Sequence, residues 1–223
     1  MRAGILKLQS GIMLNIANLR QEYMRTGLDE SDVLRDPLAQ FEIWFADAIK
    51  ADLPLPNAMS LATVSADGKP SSRIVLLKGV DHGGFVFYTN YHSRKGREIR
   101  TNAHAALLFG WLPLERQVRI EGTLARVTAQ ESEDYFASRP LGSRHAAVAS
   151  PQSDVIADRA ALDALYQHAV TTGGNDPARP AHWGGYRLMP AEIEFWQGRE
   201  NRLHDRLLFS KTTDGWKITR LAP

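Results

Sequence analysis

Between Arg73 and Lys95 the chain sets short branched-apolar runs against tight turns, and this pattern limits the available folds more than any other stretch. Arg73-Ile74-Val75-Leu76-Leu77-Lys78 is too short for an independent helix and rich in branched residues, which predicts a strand buried on both faces with a cation at each end. Turn chemistry over Gly79–Gly84 then leads into Phe85-Val86-Phe87-Tyr88-Thr89, running back as the second arm of a hairpin. Ser93 is an N-cap candidate, so Arg94 and Lys95 fall in a first helical turn, where the helix dipole disfavours positive charge. An anion bound at that turn accounts for the placement. A solvated basic face continuing through Arg97 and Arg100 fits the spacing equally well.

The flanking sequence alternates helix and strand signals. Ile12, Ile16, Leu19 and Tyr23 predict a peripheral helix over 11–26, on which Arg20 and Tyr23 occupy adjacent turns; they either reach over a neighbouring pocket or are a solvated arginine beside a packed tyrosine. Asp36-Pro37 starts a second helix with an apolar stripe of Leu38, Phe41, Phe45, Ala48 and Ile49. Strands are predicted over 58–65 and 105–109, and Val118, Ile120 and Leu124 alternate with Gln117, Arg119 and Glu121. Thr128 and Glu131 form a capping box for a helix carrying Tyr135. Tyr135, Arg139 and Ser143 recur at fixed spacing across a helix end and a turn at 140–143. They offer convergent donors to a phosphate monoester, or simple compensation of the helix dipole.

Beyond a surface helix over 157–170, the stretch 171–182 reads as a loop leading into C-terminal strands within 183–223. These are expected at 183–188, 193–197, 206–210 and 216–219. If the chain is extended from Arg202 to Arg206, then Arg202, His204 and Arg206 share a face. Such a row either covers an anionic or electron-rich ligand or protects a sheet edge.

The length of 223 residues, 43% hydrophobic and 23% charged, suits one domain spanning 1–223 with an N-terminal helical arm over 1–35. A net charge of +2 without Lys/Arg-rich runs argues against a nucleic-acid partner. With no cysteine, disulfides, thiolate metal sites and cysteine nucleophiles are excluded, and the histidines show no metal-ligand spacing, so no metal is expected. No apolar stretch reaches membrane-spanning length and none forms a signal-peptide core, which predicts a cytoplasmic protein without a membrane partner. No dinucleotide-binding or Walker-type glycine loop follows a strand, and no Gly-x-Ser-x-Gly elbow occurs.

Seven segments taken in order resemble the pyridoxamine 5′-phosphate oxidase family of FMN-dependent enzymes. They are Arg73–Lys78, Phe85–Asn90, Ser93-Arg94-Lys95, Leu114–Val118, Tyr135–Pro140, Phe195-Trp196-Gln197-Gly198 and Arg202-Leu203-His204-Asp205-Arg206. The resemblance implies a mainly β, α+β protein: a six-stranded antiparallel FMN-binding split barrel of Greek-key type with flanking helices, forming a homodimer with FMN at its interface. By similarity Arg73, Ile74, Val75, Leu76, Leu77 and Lys78 line the flavin. Arg73, Arg94 and Lys95 lie near its phosphate beside Tyr88 and Thr89, while Gln117, Gln152, Ser153, Trp196 and Arg206 match further flavin contacts, several from the partner subunit. Lys78, Tyr135, Arg139 and Ser143 match a substrate-phosphate pocket, and Arg202 and His204 the catalytic pair against the pyridine ring. Arg20 and Tyr23 match a segment that closes over it. The implied reaction is oxidation of pyridoxine 5′-phosphate and pyridoxamine 5′-phosphate by O2. The competing class is a flavin-binding or haem-related split barrel without this activity, which would keep the flavin set and lack the substrate set.

Overall fold

The computed structural model describes residues 27–223; Arg20, Tyr23 and the helix expected over 11–26 lie outside the described residues. Among the described residues are five α-helices and nine strands, all of the strands in one antiparallel sheet, where six strands were expected. The order is β2 (Pro70–Leu76), β1 (Ala58–Val64), β5 (His104–Trp111), β6 (Arg116–Arg126), β7 (Trp183–Gln197), β4 (Gly84–Asn90) and β3 (Gly79–Asp81). β8 (Asp205–Thr212) adds to β7, and β9 (Gly215–Arg220) to β8. The two ends of the seven-strand path, β2 and β3, are joined through Leu77-Lys78, and Lys78 N–H donates to Val86 O at 2.8 Å. A sheet whose ends are adjacent in sequence has to curl, and this one curls into the split barrel expected from the sequence.

The split originates in β7. Its 15 residues form one continuous strand where two were expected at 183–188 and 193–197. Pro190, which has no N–H, sits at a register shift opposite Glu121/Gly122, where a bulge absorbs the missing donor. Gly122 is required there, since a Cβ would stand 2.1 Å from the Met189 carbonyl oxygen. β6 follows β7 along its length. On the other edge β4 pairs with residues Trp183–Leu188 and β8 with Glu192–Gln197, so the sheet forks at the bulge.

The expected hairpin is differently wired. β2 returns on β1 through the turn at 65–69, and β4 returns on β3, whose turn places His82 at φ 46° and Gly83 at φ 78°. As the end strand of the path, β2 is not buried on both faces: Ile74 is 67% exposed. Its branched composition resembles that of a buried strand, and composition does not tell whether a strand has neighbours on one side or two.

α1 (Pro37–Lys50) is capped by Asp36, whose carboxylate accepts from Leu38 N–H at 3.0 Å. It plugs the barrel with Phe41, Trp44 and Ala48, a stripe that includes Trp44 and leaves Ile49 exposed. Phe41 stands edge-on to Phe85 with ring centres 5.0 Å apart, and Trp44 edge-on to Phe195 at 5.2 Å. Arg116 lies over Trp44 and pairs with Asp47 at 2.7 Å, tying the helix to β6. α2 (Arg94–Thr101) follows β4. α3 (Ala129–Ser138) has the expected capping box, and α4 (Leu141–Ala149) occupies the stretch expected to begin as a turn, so Ser143 lies in a first helical turn. α5 (Arg159–Gly173), capped by Asp158, shortens the expected 171–182 loop. No helix among the described residues is long and apolar enough to cross a membrane.

Candidate functional site

The turn from β4 into α2 builds the first of three clusters. Ser93 caps α2, its Oγ accepting from Gly96 N–H at 3.3 Å, so Arg94 and Lys95 occupy the first turn as expected. Lys95 is buried; its Nζ reaches Gln152 Oε1 at 3.0 Å, Thr89 Oγ1 at 3.2 Å and Ser93 Oγ at 3.4 Å. Burial, reinforced by the charge of Arg73, pulls its pKa down to about 8. Arg73 enters from β2, donating to Leu61 O at 3.1 Å and to the hydroxyls of Thr63 and Ser71, each at 2.5 Å.

Glu98, one turn into α2, ties the cluster together. Its buried carboxylate accepts from Thr63 Oγ1 at 2.5 Å, Ser71 Oγ at 2.7 Å, Arg94 Nε at 2.9 Å and Arg73 Nη2 at 3.2 Å. Burial disfavours its charge, but these donors outweigh burial and hold the pKa at about 2. Arg73 and Arg94 thus share one carboxylate and Lys95 stands beside them bonded to neutral oxygens, an excess of positive charge at a helix start that suits a phosphate.

The second cluster is aromatic. Tyr88 stacks on Tyr135 with ring centres 3.9 Å apart and on Trp183 at 5.6 Å, joining β4, α3 and β7. Burial, with Glu131 adding to it, pushes the Tyr88 phenol up to about 12. Lys78 Nζ lies 5.9 Å from the Tyr135 ring centre, and the Arg139 guanidinium lies 4.7 Å from that of Trp183. Arg139 Nη1 is buried without an acceptor among the described residues, and burial lowers the pKa of the group. A charged donor left unsatisfied is costly, and an arriving anion removes the cost. Ser143 lies half-buried one turn beyond Arg139.

The third cluster crosses three strands side by side. Gln117 faces Trp196 across β6 and β7, and Trp196 faces Arg206 across β7 and β8. With Leu108, Arg119, Glu194 and Pro223 they line a cavity of about 310 Å3. Buried Glu194 holds Arg206 at 2.7 Å and Arg119 at 2.6 Å. The His204 ring lies 4.5 Å from Trp196, and its Nδ1 accepts from Arg199 N–H at 3.1 Å; burial, and then the charge of Arg202, lower its pKa.

The extended Arg202–Arg206 segment is not found. Asn201 and Arg202 take left-handed backbone at φ 55° and 61°, a turn covers Glu200–Arg202, and the strand begins only at Asp205. Arg202, His204 and Arg206 therefore do not share a face by alternation. Strand periodicity fails there because two consecutive residues at positive φ reverse the chain, and neither is glycine.

Ile74, Leu76 and Lys78 are exposed, Val75 is half-exposed and Leu77 is buried. Gln152 and its neighbour Ser153, at φ 77°, are both exposed, and Gln152 joins the first cluster through its Oε1. Asp81, His82 and Glu131 come together at a spacing that could hold a metal, but Arg187 already lies among them, 2.5 Å from Asp81 and 2.6 Å from Glu131. The residues that sequence reasoning missed are Glu98 and Glu194. Each is a buried carboxylate holding two arginines, and the only local signal was the Arg94/Glu98 spacing on one helix face.

Known proteins resemble this chain along most of its length. A profile described as pyridoxamine 5′-phosphate oxidase matches residues 45–170, and one described as the pyridoxine 5′-phosphate oxidase C-terminal dimerisation region matches 183–223. A pyridoxine/pyridoxamine 5′-phosphate oxidase of Burkholderia lata is 58% identical over 214 residues, covering 95% of this chain and 100% of the relative; one of Burkholderia thailandensis has the same identity and coverage. Among solved structures, PhzG from Burkholderia lata in complex with tetrahydrophenazine-1-carboxylic acid superposes with a TM-score of 0.85 at 33% identity, covering 91% of this chain and 100% of that one. A pyridoxamine 5′-phosphate oxidase-related, FMN-binding protein from Nostoc punctiforme shares the fold, with a TM-score of 0.67 at 18% identity over 82% of this chain and 97% of that one. With the site's geometry, the two profile matches and relatives identical at more than half of the aligned positions, the chain belongs to the pyridoxamine 5′-phosphate oxidase family.

Proposed function

We propose that this chain is an FMN-dependent pyridoxal 5′-phosphate synthase. Pyridoxine 5′-phosphate would give up two hydrogens to O2, yielding the aldehyde and H2O2; pyridoxamine 5′-phosphate, with one water, would yield the same aldehyde, ammonia and H2O2. The observation that carries the reading is the buried Arg139 Nη1, unsatisfied among the described residues, beside a stack of aromatic rings and separate from the cationic cluster around Glu98. Two phosphate-ready sites suit two phosphorylated ligands, cofactor and substrate.

Arg73, Arg94 and Lys95 would hold the FMN phosphate, with Thr89, Tyr88, Gln152 and Ser153 beside them. Ile74 to Lys78, Gln117, Trp196 and Arg206 would line the rest of the cofactor. Bound FMN would supply the hydride acceptor and the route of electrons to O2. Lys78, Tyr135, Arg139 and Ser143 would grip the substrate phosphate, a remote contact whose binding energy aligns the reacting end. Arg202 would position and polarise the pyridine ring. His204, whose lowered pKa keeps the imidazole neutral near pH 7, would orient the ring and accept a proton. Arg20 and Tyr23 retain their proposed role of closing over the substrate.

The assembly would be a homodimer of single-domain subunits, the C-terminal strands carrying Arg202 and His204. Tyr88 pairs with Gly185 and Asp205 with Gln197, twelve residues apart on β7. That is on the order of 40 Å of strand, far longer than one substrate. The phosphate pocket of one copy and the Arg202/His204 pair of another can serve one molecule, and the description of residues 183–223 as a dimerisation region supports this. No nucleic-acid or membrane partner is proposed, and the cytoplasm is the proposed location.

The structural match to PhzG favours a second reading, oxidation of a carboxylated tricyclic substrate. Against it, identity to the Burkholderia lata oxidase is 58% and to PhzG of the same species 33%. The Arg139 pocket also supports a phosphorylated substrate. The test is a purified, yellow protein assayed for peroxide release with pyridoxine 5′-phosphate and with a reduced phenazine carboxylate. Turnover of the second alone, or of neither, would overturn the proposal.

A further inference from the structure

The carboxylate of Glu98 stands among the cations assigned above to the flavin phosphate, where a negative charge should weaken the binding of an anion. It is nevertheless buried and held by donors from three elements: Thr63 of β1, Ser71 and Arg73 of β2, and Arg94 of its own helix. We infer that Glu98 is a positioning residue that makes the site selective for phosphorylated over unphosphorylated flavin, by holding Arg73 and Arg94 in a fixed, mutually compatible orientation. This inference rests on the FMN reading above.

Two opposed effects decide the sign. As a charge, Glu98 repels an incoming phosphate. As a partner, it neutralises part of the repulsion between two neighbouring guanidiniums, and the charge of Arg94 does act on Arg73. Arg73 is also partly buried, with Nη1 and Nη2 committed to Thr63, Ser71 and Glu98 on one side. Without the carboxylate, Arg73 and Arg94 would be pushed apart and would have to be reassembled by the ligand at each binding event, losing the benefit of a prearranged site. Lys95 does not depend on Glu98 for its hydrogen bonds, which go to Thr89, Ser93 and Gln152. One prearranged cation therefore survives in a Glu98 variant. Orientation outweighs repulsion because the carboxylate has its oxygens occupied by protein donors, leaving its charge already screened by two arginines.

The experiment compares FMN and riboflavin, which differ only by the phosphate, by fluorescence titration of the flavin-stripped protein. Glu98→Gln should lose at least about tenfold in FMN affinity, with riboflavin affinity changing by less than about twofold. Ser71→Ala removes one donor from Glu98 and one acceptor from Arg73 at a half-exposed position. It should shift the preference in the same direction by a smaller factor, and serves if Glu98→Gln does not fold. Glu98→Asp, which keeps the charge, should recover part of the loss. Tighter FMN binding in Glu98→Gln would show that repulsion dominates, and an equal loss for both flavins would make Glu98 merely structural; either overturns the inference. A wild-type protein that prefers FMN while both variants keep that preference refutes the role of Glu98 alone. A wild-type protein that binds neither flavin refutes the FMN reading and this inference with it.

Discussion

Replacing Arg139 by methionine separates function from stability more sharply than any other change in the site. The substitution keeps an unbranched stem of similar length against Trp183 and Phe136 and removes only the charged fork. On the stability side two terms oppose each other. The buried Nη1 without an acceptor disappears, a gain of about 1–3 kcal/mol for an unmade hydrogen bond. The cation–π contact at 4.7 Å from the Trp183 ring centre also disappears, at about 0.5–2 kcal/mol. At their midpoints, about 2 and about 1.2 kcal/mol, they nearly cancel, so the melting temperature should shift by about 2–3 °C. On the functional side a phosphate would lose charge-assisted hydrogen bonds of about 1.5–3 kcal/mol, so kcat/KM should fall by about tenfold to 150-fold. The assay is steady-state peroxide release with pyridoxine 5′-phosphate, alongside pyridoxine without its phosphate. The loss should be confined to the phosphorylated substrate. A variant that melts far lower with unchanged kinetics, or loses both substrates equally, would show Arg139 to be a structural residue and refute the reasoning.

Three further outcomes follow from the same contacts. Lys95 should lose its proton as pH rises through about 8, so FMN affinity should weaken from about pH 7 to about pH 9.5. The flavin-free protein should at the same time gain stability from this group, because the unfolded state binds the extra proton between about 8 and the ordinary lysine value of 10.5; a flat affinity profile would refute the placement. Gly96→Ala should destabilise despite the helix preference for alanine of about 1 kcal/mol, because the new Cβ would stand 2.2 Å from the Tyr91 carbonyl oxygen. Thermal unfolding reads the sign, and a stabilised variant would show that the turn before α2 can yield. Arg220 holds Glu30 at 2.7 Å and Asp205 at 2.6 Å, donates to Leu28 O at 3.1 Å, and keeps the Glu30 carboxyl at about 2. Arg220→Gln should therefore speed hydrogen exchange at the Leu28 amide, which donates to Asp205 at 2.9 Å; unchanged protection would mean that this segment is anchored elsewhere.

What was legible in the sequence was what neighbours within one turn decide. Ser93 caps α2, Asp36-Pro37 starts α1, and Thr128 with Glu131 closes a capping box, because each signal and its partner lie within four residues. The misplaced cations at Arg94 and Lys95 were visible for the same reason. Glu98 was not, because the donors that give it meaning come from Thr63, Ser71 and Arg73, brought beside it by the pairing of β1 with β2. Ile74 was misjudged by the same blindness to neighbours: branched residues record that a strand exists, while its place at the end of the path decides its exposure.

Two departures run in opposite directions and share a cause. The strands expected at 183–188 and 193–197 are one β7, since Gly122 on the partner strand accommodates a bulge at Pro190; the extension considered for Arg202 to Arg206 gives way to a turn, since Asn201 and Arg202 accept left-handed backbone without glycine. In each, a strong local preference yields to the pairing around it. The second departure lies at Arg202 itself, beside His204, and in the proposed reading, where this pair meets the substrate, backbone held in a sparsely populated region exchanges local ease for placement. An extended backbone would have spread Arg202, His204 and Arg206 along one edge. The turn instead leaves Arg206 paired with Glu194 inside the sheet and Arg202 exposed, as the proposed role of Arg202 in the site of a second copy requires.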